Sequence, residues 1–590
     1  MKHRHVVPAL ILVALAGCAS EPALVNENFK FNQLGFLPKG EKIAVIPAGE
    51  ATEFVLTTRD GTEVYKGALS EPRYWPYSGE QVQVADFSAY TGSGNFRLRA
   101  GTLPPTPVFR IGPEVYRGLH AATLKAFYYN RSAMELKPEY AGRWARPGAH
   151  PDTHVIVHSS AASEGRPAGA LIASPGGWYD AGDFNKYIVN SAITVYTLLA
   201  AYEHFPAYYQ AFDVNIPESG NGQADILDEA LYNLRWMLTM QDPADGGVYH
   251  KLTGLKFEDA LMPHEDKLER YVVQKSTGAA LDLAAVGAVC HRIFAVSDPA
   301  LSAKCLRAAA AAWNWALKNP RTPYVQPADV KTGTYAPGSE DFKDEFAWAA
   351  AELFIATGDA RYIKGIDFAA VPVGVPSWGW VSPLAWISLA QHADKVKSKI
   401  PAELIRAKIR ETADLLKNQY DKSAYRIVMG AFGGEVTKDT NGLQQDFVWG
   451  SNGVAANQGL MLIQAYRLLG DRAYLDAATA NLDYLLGRNP LGLSYVTGWG
   501  THHTRNIHHR VSESDGIEES VPGFLAGGPH SGQQDAADCL KKQNAPYPSK
   551  LPALSYLDRT CSYASNEVAI NWNAALVYLI GAVESLHTSQ

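Results

Sequence analysis

The 590-residue chain has no excess of positive charge: 53 Lys and Arg stand against 60 Asp and Glu, a net charge of −7 with His neutral. It offers none of the basic field that nucleic acid demands, which excludes a DNA- or RNA-binding role. The apolar run near the N-terminus is short. The apolar stretch from Val6 to Ala16 is about 11 residues, against the ~20 needed to cross a bilayer as a helix. There is no low-complexity tract and no fixed-period self-similarity, which argues against a solenoid of identical repeats. Cysteine is scarce, at five residues. What is abundant is apolar and aromatic: 47% hydrophobic residues, with 13 Trp, 30 Tyr and 20 Phe. That supply suits a large core, more than one domain, and either thick packing or a groove that stacks on flat ligand faces.

The N-terminus reads Met1-Lys-His-Arg4, then the short apolar run, then Leu15-Ala-Gly-Cys18: a charged region, a hydrophobic region and small residues before a cysteine. It resembles a bacterial lipoprotein signal spanning residues 1–17. That resemblance implies cleavage before Cys18, lipid on its sulfur and amine, and, with Ala19 and Ser20 following, an outer-membrane destination. The membrane is then a partner only through the anchor. Removing Cys18 leaves Cys290, Cys305, Cys539 and Cys561, an even number for an oxidising compartment, with three possible pairings. The helix, Asp-Pro turn, helix pattern between Cys290 and Cys305 favours that pair, leaving Cys539 with Cys561; four reduced buried thiols are the alternative.

From residue 27 to 112 short alternating runs such as Lys42-Ile-Ala-Val-Ile, Gln81-Val-Gln-Val and Asn95-Phe-Arg-Leu-Arg predict a small β-sandwich. From 115 to 590 the texture changes to about a dozen amphipathic stretches with helical spacing. They include Gly222–Met240, Thr277–Val296, Ala300–Ala316, Phe342–Thr357, Ala402–Gln419, Asn452–Leu469, Arg472–Leu486 and Glu567–Leu586. Paired helices with long aromatic-rich inserts predict an α/α toroid whose loops build a site at one end.

Three segments carry reactive side chains. In Gly176-Gly-Trp-Tyr-Asp180-Ala-Gly-Asp183-Phe-Asn-Lys-Tyr187, two carboxylates precede a helix read as Phe184–His204. Capping that helix would keep Asp183 ionised, as a general base requires, although an ordinary N-cap and turn residue explain the pattern too. Glu567, placed at the start of an apolar helix between Tyr563 and Trp572, should be desolvated and raised toward the pKa of a proton donor, unless it is the acidic partner of a Ser565 or Asn566 cap. The stretch Ser494 to Arg510 holds four histidines, but no helical i, i+4 pair and no nearby thiolate, so its His and Arg donors suit hydroxyl-rich ligands better than a metal.

Together, the Asp180-Ala-Gly-Asp183 element, the Val496-Thr-Gly-Trp-Gly500 to His508-x-Arg510 element and the Asp558-x4-Tyr563-x3-Glu567-x5-Asn573-Ala574 element resemble the three signatures of glycoside hydrolase family 9, in the same order. The start of the chain, Phe31-Asn-Gln-Leu-Gly-Phe36 leading to Trp75 and Ser78-Gly79, resembles the immunoglobulin-like domain that precedes the catalytic domain in one branch of that family. The resemblance implies a multidomain chain in which an N-terminal immunoglobulin-like β-sandwich is followed by an all-α (α/α)6 barrel. It also implies inverting hydrolysis of β-1,4-glucosidic bonds in cellulose-like or mixed-linkage glucans. By motif matching Asp183 is the base, Asp180 positions the water and Glu567 is the acid. His508, Arg510, Trp572, His250, Trp380, Trp449 and Asp558 are the expected substrate contacts, with Trp378 near another stacking position. The base and acid carboxyls should stand roughly 6.5–9.5 Å apart to admit the water.

No cofactor is required by this reading, and no metal ligand set is assigned. The region where some relatives bind zinc reads Ala149-His-Pro-Asp-Thr-His154 without cysteine, which speaks against zinc; the resemblance leaves room for structural calcium, with no contiguous ligand loop. A monomer acting on a β-glucan polymer or oligosaccharide is expected. Exo-action is the alternative enzyme reading, as a β-glucosidase, cellobiohydrolase or exo-β-glucosaminidase, since Glu513-x-Asp515-x2-Glu518-Glu519 could block one end of a cleft or pair with an amino sugar. A surface glycan-binding lipoprotein is the non-enzymatic alternative, against which the retention of all three carboxyls counts.

Overall fold

A computed structural model describes residues 28–337, 341–430 and 446–588. The signal segment and Cys18 lie outside the described residues. The N-terminal domain is a sandwich of two sheets. One has the order β1-β8-β7-β3-β4, from Gly35–Phe36, Phe109–Ile111, Gly94–Ala100, Glu53–Thr58 and Glu63–Ala68; the other is β2-β6-β5, from Ile43–Pro47, Glu80–Asp86 and Arg73–Trp75. Alternation sets the inner face: Phe54 and Leu56 of β3 pair in register with Ala100 and Leu98 of β7, and all four are buried. Edge-on contacts of Phe36 with Phe87 and Phe109 fill the space between the sheets.

The barrel is built from helices close to those the periodicity predicts: Asp225–Thr239, Thr277–Phe294, Pro299–Lys318, Lys343–Thr357, Ala402–Lys422, Ser451–Leu469 and Arg472–Leu485. Local chemistry sets their ends. Ser276 Oγ accepts from Ala279 N–H at 3.2 Å, Asp298 Oδ1 accepts from Leu301 N–H at 3.0 Å with Pro299 in the first turn, and Gly358 and Gly470 close their helices with left-handed φ of 71° and 80°. Thr277–Phe294, rich in Ala and Val, is the one described helix apolar enough to cross a membrane, and it lies buried in the barrel instead.

The expected helical hairpin does bring Cys290 and Cys305 together, but as two buried thiols rather than a disulfide. Both side chains fill the tightly packed seam between Thr277–Phe294 and Pro299–Lys318, where cysteine serves as a small apolar residue. Cys539 and Cys561 are disulfide-bonded.

A five-stranded sheet that the periodicity did not reveal sits at the loop end of the barrel. Its order is β10-β9-β13-β12-β11, from Leu171–Ile172, Val155–Val157, Tyr271–Val272, Lys251–Thr253 and Lys186–Tyr187. Its strands of two or three residues are too short to give a period-two signal, and non-local pairing creates them.

The two domains share a packed seam. Trp75 lies 4.6 Å from Tyr425, and Asn32 donates to Asp483 Oδ1 at 2.7 Å. The Gln33 amide makes four hydrogen bonds: it donates to the Gly492 and His502 carbonyls at 2.9 Å and accepts from Thr501 Oγ and His502 N–H. That loop continues into His508 and Arg510.

Candidate active site

The three motif segments meet through backbone pairing. Arg510 N–H donates to Gly182 O at 3.0 Å, His508 N–H to Asn566 O at 2.9 Å, and Ile570 N–H to Asp180 O at 2.9 Å, while Gly527 N–H holds Glu567 O at 2.7 Å. These bonds correct two expectations. The helix after the Asp-Ala-Gly-Asp turn is Ile188–His204, because Lys186 and Tyr187 pair with β12, so Asp183 is not its cap. Glu567 forms a bridge with His508 and precedes the helix Ile570–Thr588, so Ser565 or Asn566 does not cap a helix that begins at Glu567. Both carboxylates stand on turns held by sheet-like pairing, and a helix dipole is not what tunes them.

Asp180 and Asp183 are 1% and 4% exposed. Asp180 Oδ1 accepts from Asn190 Nδ2 at 2.6 Å, with the Tyr335 hydroxyl also facing the carboxyl. Burial, followed by the charge of Asp183, pushes Asp180 up to about 8. Asp183 accepts from Asn185 Nδ2 and, at 3.4 Å, from the Tyr187 hydroxyl. Glu567 is pushed up to about 8 by burial and then by Asp183 and Asp180, with Arg510 opposing. Burial and the neighbouring aspartates thus raise Glu567 toward the range of a proton donor.

The expected sugar contacts divide. Trp378, Trp380, Trp449 and Trp572 line one cavity of about 910 Å³ together with Asn571 and Asn457. Trp380 and Trp449 are 37% and 42% exposed, unusual for tryptophan, and so present apolar faces to a ligand. Arg510 pairs through Nε with Glu258 Oε1 at 2.8 Å. His508 Nδ1 donates to Thr560 O at 2.6 Å, and burial holds the ring at about 4, so a neutral imidazole is left with Nε2 as an acceptor.

His250 and Asp558 do not behave as expected. His250 is fully buried: its ring nitrogens bond to Ser276 Oγ at 2.9 Å and Thr334 O at 2.7 Å, and its ring stacks on Tyr324 at 4.1 Å. It supports the wall and does not reach a sugar. The Asp558 carboxylate accepts from Arg505 N–H, Asn506 N–H, Thr504 Oγ and Asn566 Nδ2, which makes it a brace for the 504–506 turn beside Glu567.

Other acids are also engaged by the protein. Glu229 pairs with Arg131 at 2.9 Å, Asp225 accepts from Val214 N–H and Ser219 Oγ, and Asp228 accepts from Asn221 and Gln223. In the acidic segment Glu519 pairs with Arg143 at 3.1 Å and Glu513 lies 3.7 Å from His508. At the position where zinc was weighed, His150 is held by the Tyr179 hydroxyl at 2.7 Å and by Asp266 at 3.1 Å, so both ring nitrogens are already used and the residues do not fit a zinc ion. Among the described residues no cluster of His, Cys, Asp and Glu is arranged to hold a metal.

Sequence reasoning missed Glu258, Tyr335 and Asn190. Asn190 lies within reach of a motif-based reading, ten residues past Asp180. Tyr335 and Glu258 arrive on long loops with no local signal; Tyr335, with a φ of 42°, packs between Tyr187 and Trp378 and so ties the paired aspartates to the tryptophan wall.

Comparison with known proteins gives the same picture. A profile described as glycosyl hydrolase family 9 matches residues 116–580, and one described as a cellulase N-terminal ig-like domain matches residues 25–104. The chain is 42% identical over 588 residues to a xyloglucan-specific endo-beta-1,4-glucanase from Bacteroides ovatus, covering 97% of this chain and 96% of that protein. It is 29% identical to endoglucanase D of Acetivibrio thermocellus, over 96% of this chain and 83% of that one. Among solved structures, a Bacteroides ovatus GH9 protein superposes with a TM-score of 0.86 at 40% identity, covering 95% of this chain and all of that one. A thermostable endoglucanase from Alicyclobacillus acidocaldarius superposes at 0.81 with 30% identity, over 95% and 99%.

Proposed function

The chain belongs to glycosyl hydrolase family 9 and is an endo-acting β-glucan hydrolase; from that premise we propose that Asp183 is its base, Asp180 the water-positioning partner and Glu567 its acid, in a single inverting displacement. Asp183 takes a proton from water as the water oxygen bonds to the anomeric carbon. The glycosidic C–O bond breaks, and the proton of Glu567 goes to the leaving oxygen. Asp180, on the same turn, orients that water for Asp183. The observation that carries this reading is the meeting of the Glu567 segment with the Asp180–Asp183 turn, through Ile570 N–H on Asp180 O, with Glu567 raised to about 8 by burial and by both aspartates.

Proton NMR of fresh product tests it: new reducing ends should appear first as the α-anomer. A β-anomer would overturn inversion, and near-normal turnover by Asp183→Ala or Glu567→Ala would overturn the assignment.

The preferred glucan we infer is a branched one of the xyloglucan type. A 42% identical relative is named for that substrate, and Trp380 and Trp449 flank an open cavity of about 910 Å³. A kcat/KM on carboxymethyl-cellulose equal to or above that on xyloglucan would refute this preference. Of the expected contacts, Arg510, His508, Trp572, Trp380 and Trp449 keep that role.

Lipid attachment at Cys18, an outer-membrane location and a monomeric state complete the proposal. Labelled palmitate should enter the wild type and not Cys18→Ser. Hydrolysis should survive EDTA, since no step needs a metal; a fall in Tm on chelation would reveal structural calcium.

A further inference from the structure

In the loop between β12 and β13, Lys256, Phe257, Asp259 and Ala260 are exposed, while Glu258 between them turns inward and is 8% exposed. An acid buried from an exposed loop needs partners, and those of Glu258 are informative. Its Oε1 accepts from the backbone N–H of Phe184, the residue after Asp183, at 2.9 Å. The same oxygen pairs with Arg510 Nε at 2.8 Å, and the Glu258 carbonyl accepts from that Nε at 3.1 Å. Both contacts use Nε, so the tip of the guanidinium is not consumed by them. Phe257 packs under the Arg510 guanidinium at 5.6 Å.

One carboxylate thus joins two segments more than 300 residues apart that the reaction needs in register. Asp183, Arg510, Arg270 and Tyr187 are the charged and titratable groups that face it. Burial and the charge of Asp183 push Glu258 up to about 7, and Arg510 opposes them.

We propose that Glu258 is a positioning residue for hydrolysis, acting through Arg510 and the Phe184 amide to fix the guanidinium against the base-bearing turn. This rests on the reading of Asp183 as base. The contacts need an acceptor at this place and not a full charge, so a neutral acceptor should serve. A misplacement on the scale of an ångström at a reacting centre costs about 100-fold.

The test is a double-mutant cycle on the full mature chain, reading kcat/KM per folded enzyme and Tm. Glu258→Ala should lose about 10- to 100-fold in kcat/KM. Glu258→Gln, which keeps one side-chain acceptor oxygen for the Phe184 amide and Arg510 Nε, should return to within about threefold of wild type. In an Arg510→Ala background, adding Glu258→Ala should cost less than about threefold, since its route of action is gone. Wild-type kcat/KM in Glu258→Ala, a Gln variant as poor as Ala, or an undiminished loss in the Arg510→Ala background would each overturn the proposal. If Glu258→Ala does not fold, Glu258→Met, of similar length but without a side-chain oxygen, replaces it; failure of both to fold would assign Glu258 to stability instead. Asp183→Asn separates the two readings: normal turnover there sinks the base assignment, whereas a null result at Glu258 alone leaves it standing.

Discussion

A Cβ placed on Gly182 would lie 2.4 Å from the carbonyl oxygen of His508. The glycine between Ala181 and Asp183 is thus required by close approach: the turn carrying the two aspartates docks edge-on against the 508–510 segment, where Gly182 O receives Arg510 N–H. Gly182→Ala should force these segments apart and lower kcat/KM by about 100-fold. Circular dichroism should still report a folded barrel. An alanine variant with wild-type kinetics would show that the turn has slack the structure does not display.

The pH dependence follows from two buried acids. Glu567 must hold its proton to serve as acid, and its folded pKa stands raised to about 8, so activity is present below that pH and lost as pH rises through it. The charge of Asp180 is among the causes of that rise, so the limb belongs to the pair. Asp180→Asn removes a like charge that raises Glu567, and whatever activity remains should show its alkaline limb at lower pH. An unmoved limb in pH–kcat profiles would break the link between these groups.

His250→Ala should act on stability and not on binding. Loss of the bonds to Ser276 and Thr334, with an unfilled space beside Tyr324, should cost about 1–3 kcal/mol in chemical denaturation while KM stays near wild type. A selective rise in KM would return the histidine to the sugar.

The N-terminal domain reaches the 492–502 loop through the Gln33 amide. Gln33→Ala removes four hydrogen bonds to the 492–502 loop, and both Tm and kcat should fall. Removal of residues 28–112 strips the cover from Tyr425 and Phe447 as well, and should leave a barrel that aggregates or is inactive. A folded, fully active truncated barrel would show the domain to be dispensable.

Thiol counting tests the cysteines. Denatured chain lacking Cys18 should expose two reactive thiols, Cys290 and Cys305, before reduction and four after. Opening Cys539–Cys561, which closes a loop with a separation of 22, should cost about 3 kcal/mol.

Sequence alone determined a good deal here. Helical periodicity placed the long helices to within a few residues, because an amphipathic stripe and its caps are local properties written within one turn of each residue. Alternation marked the β-sandwich for the same reason, and the three motif segments named Asp180, Asp183 and Glu567 as one site. What only the tertiary structure decided is how those carboxyls are held and tuned. Asp183 lost its supposed cap, and Glu567 its helix, because Lys186–Tyr187 and Glu567 pair with strands and bridges from Lys251–Thr253 and His508, partners no local pattern can announce. Tyr335, Glu258 and the burial of His250 were hidden likewise. Each arrives on a loop whose course is set by distant packing, and burial, the largest cause of the raised acids, is a property of the assembled barrel.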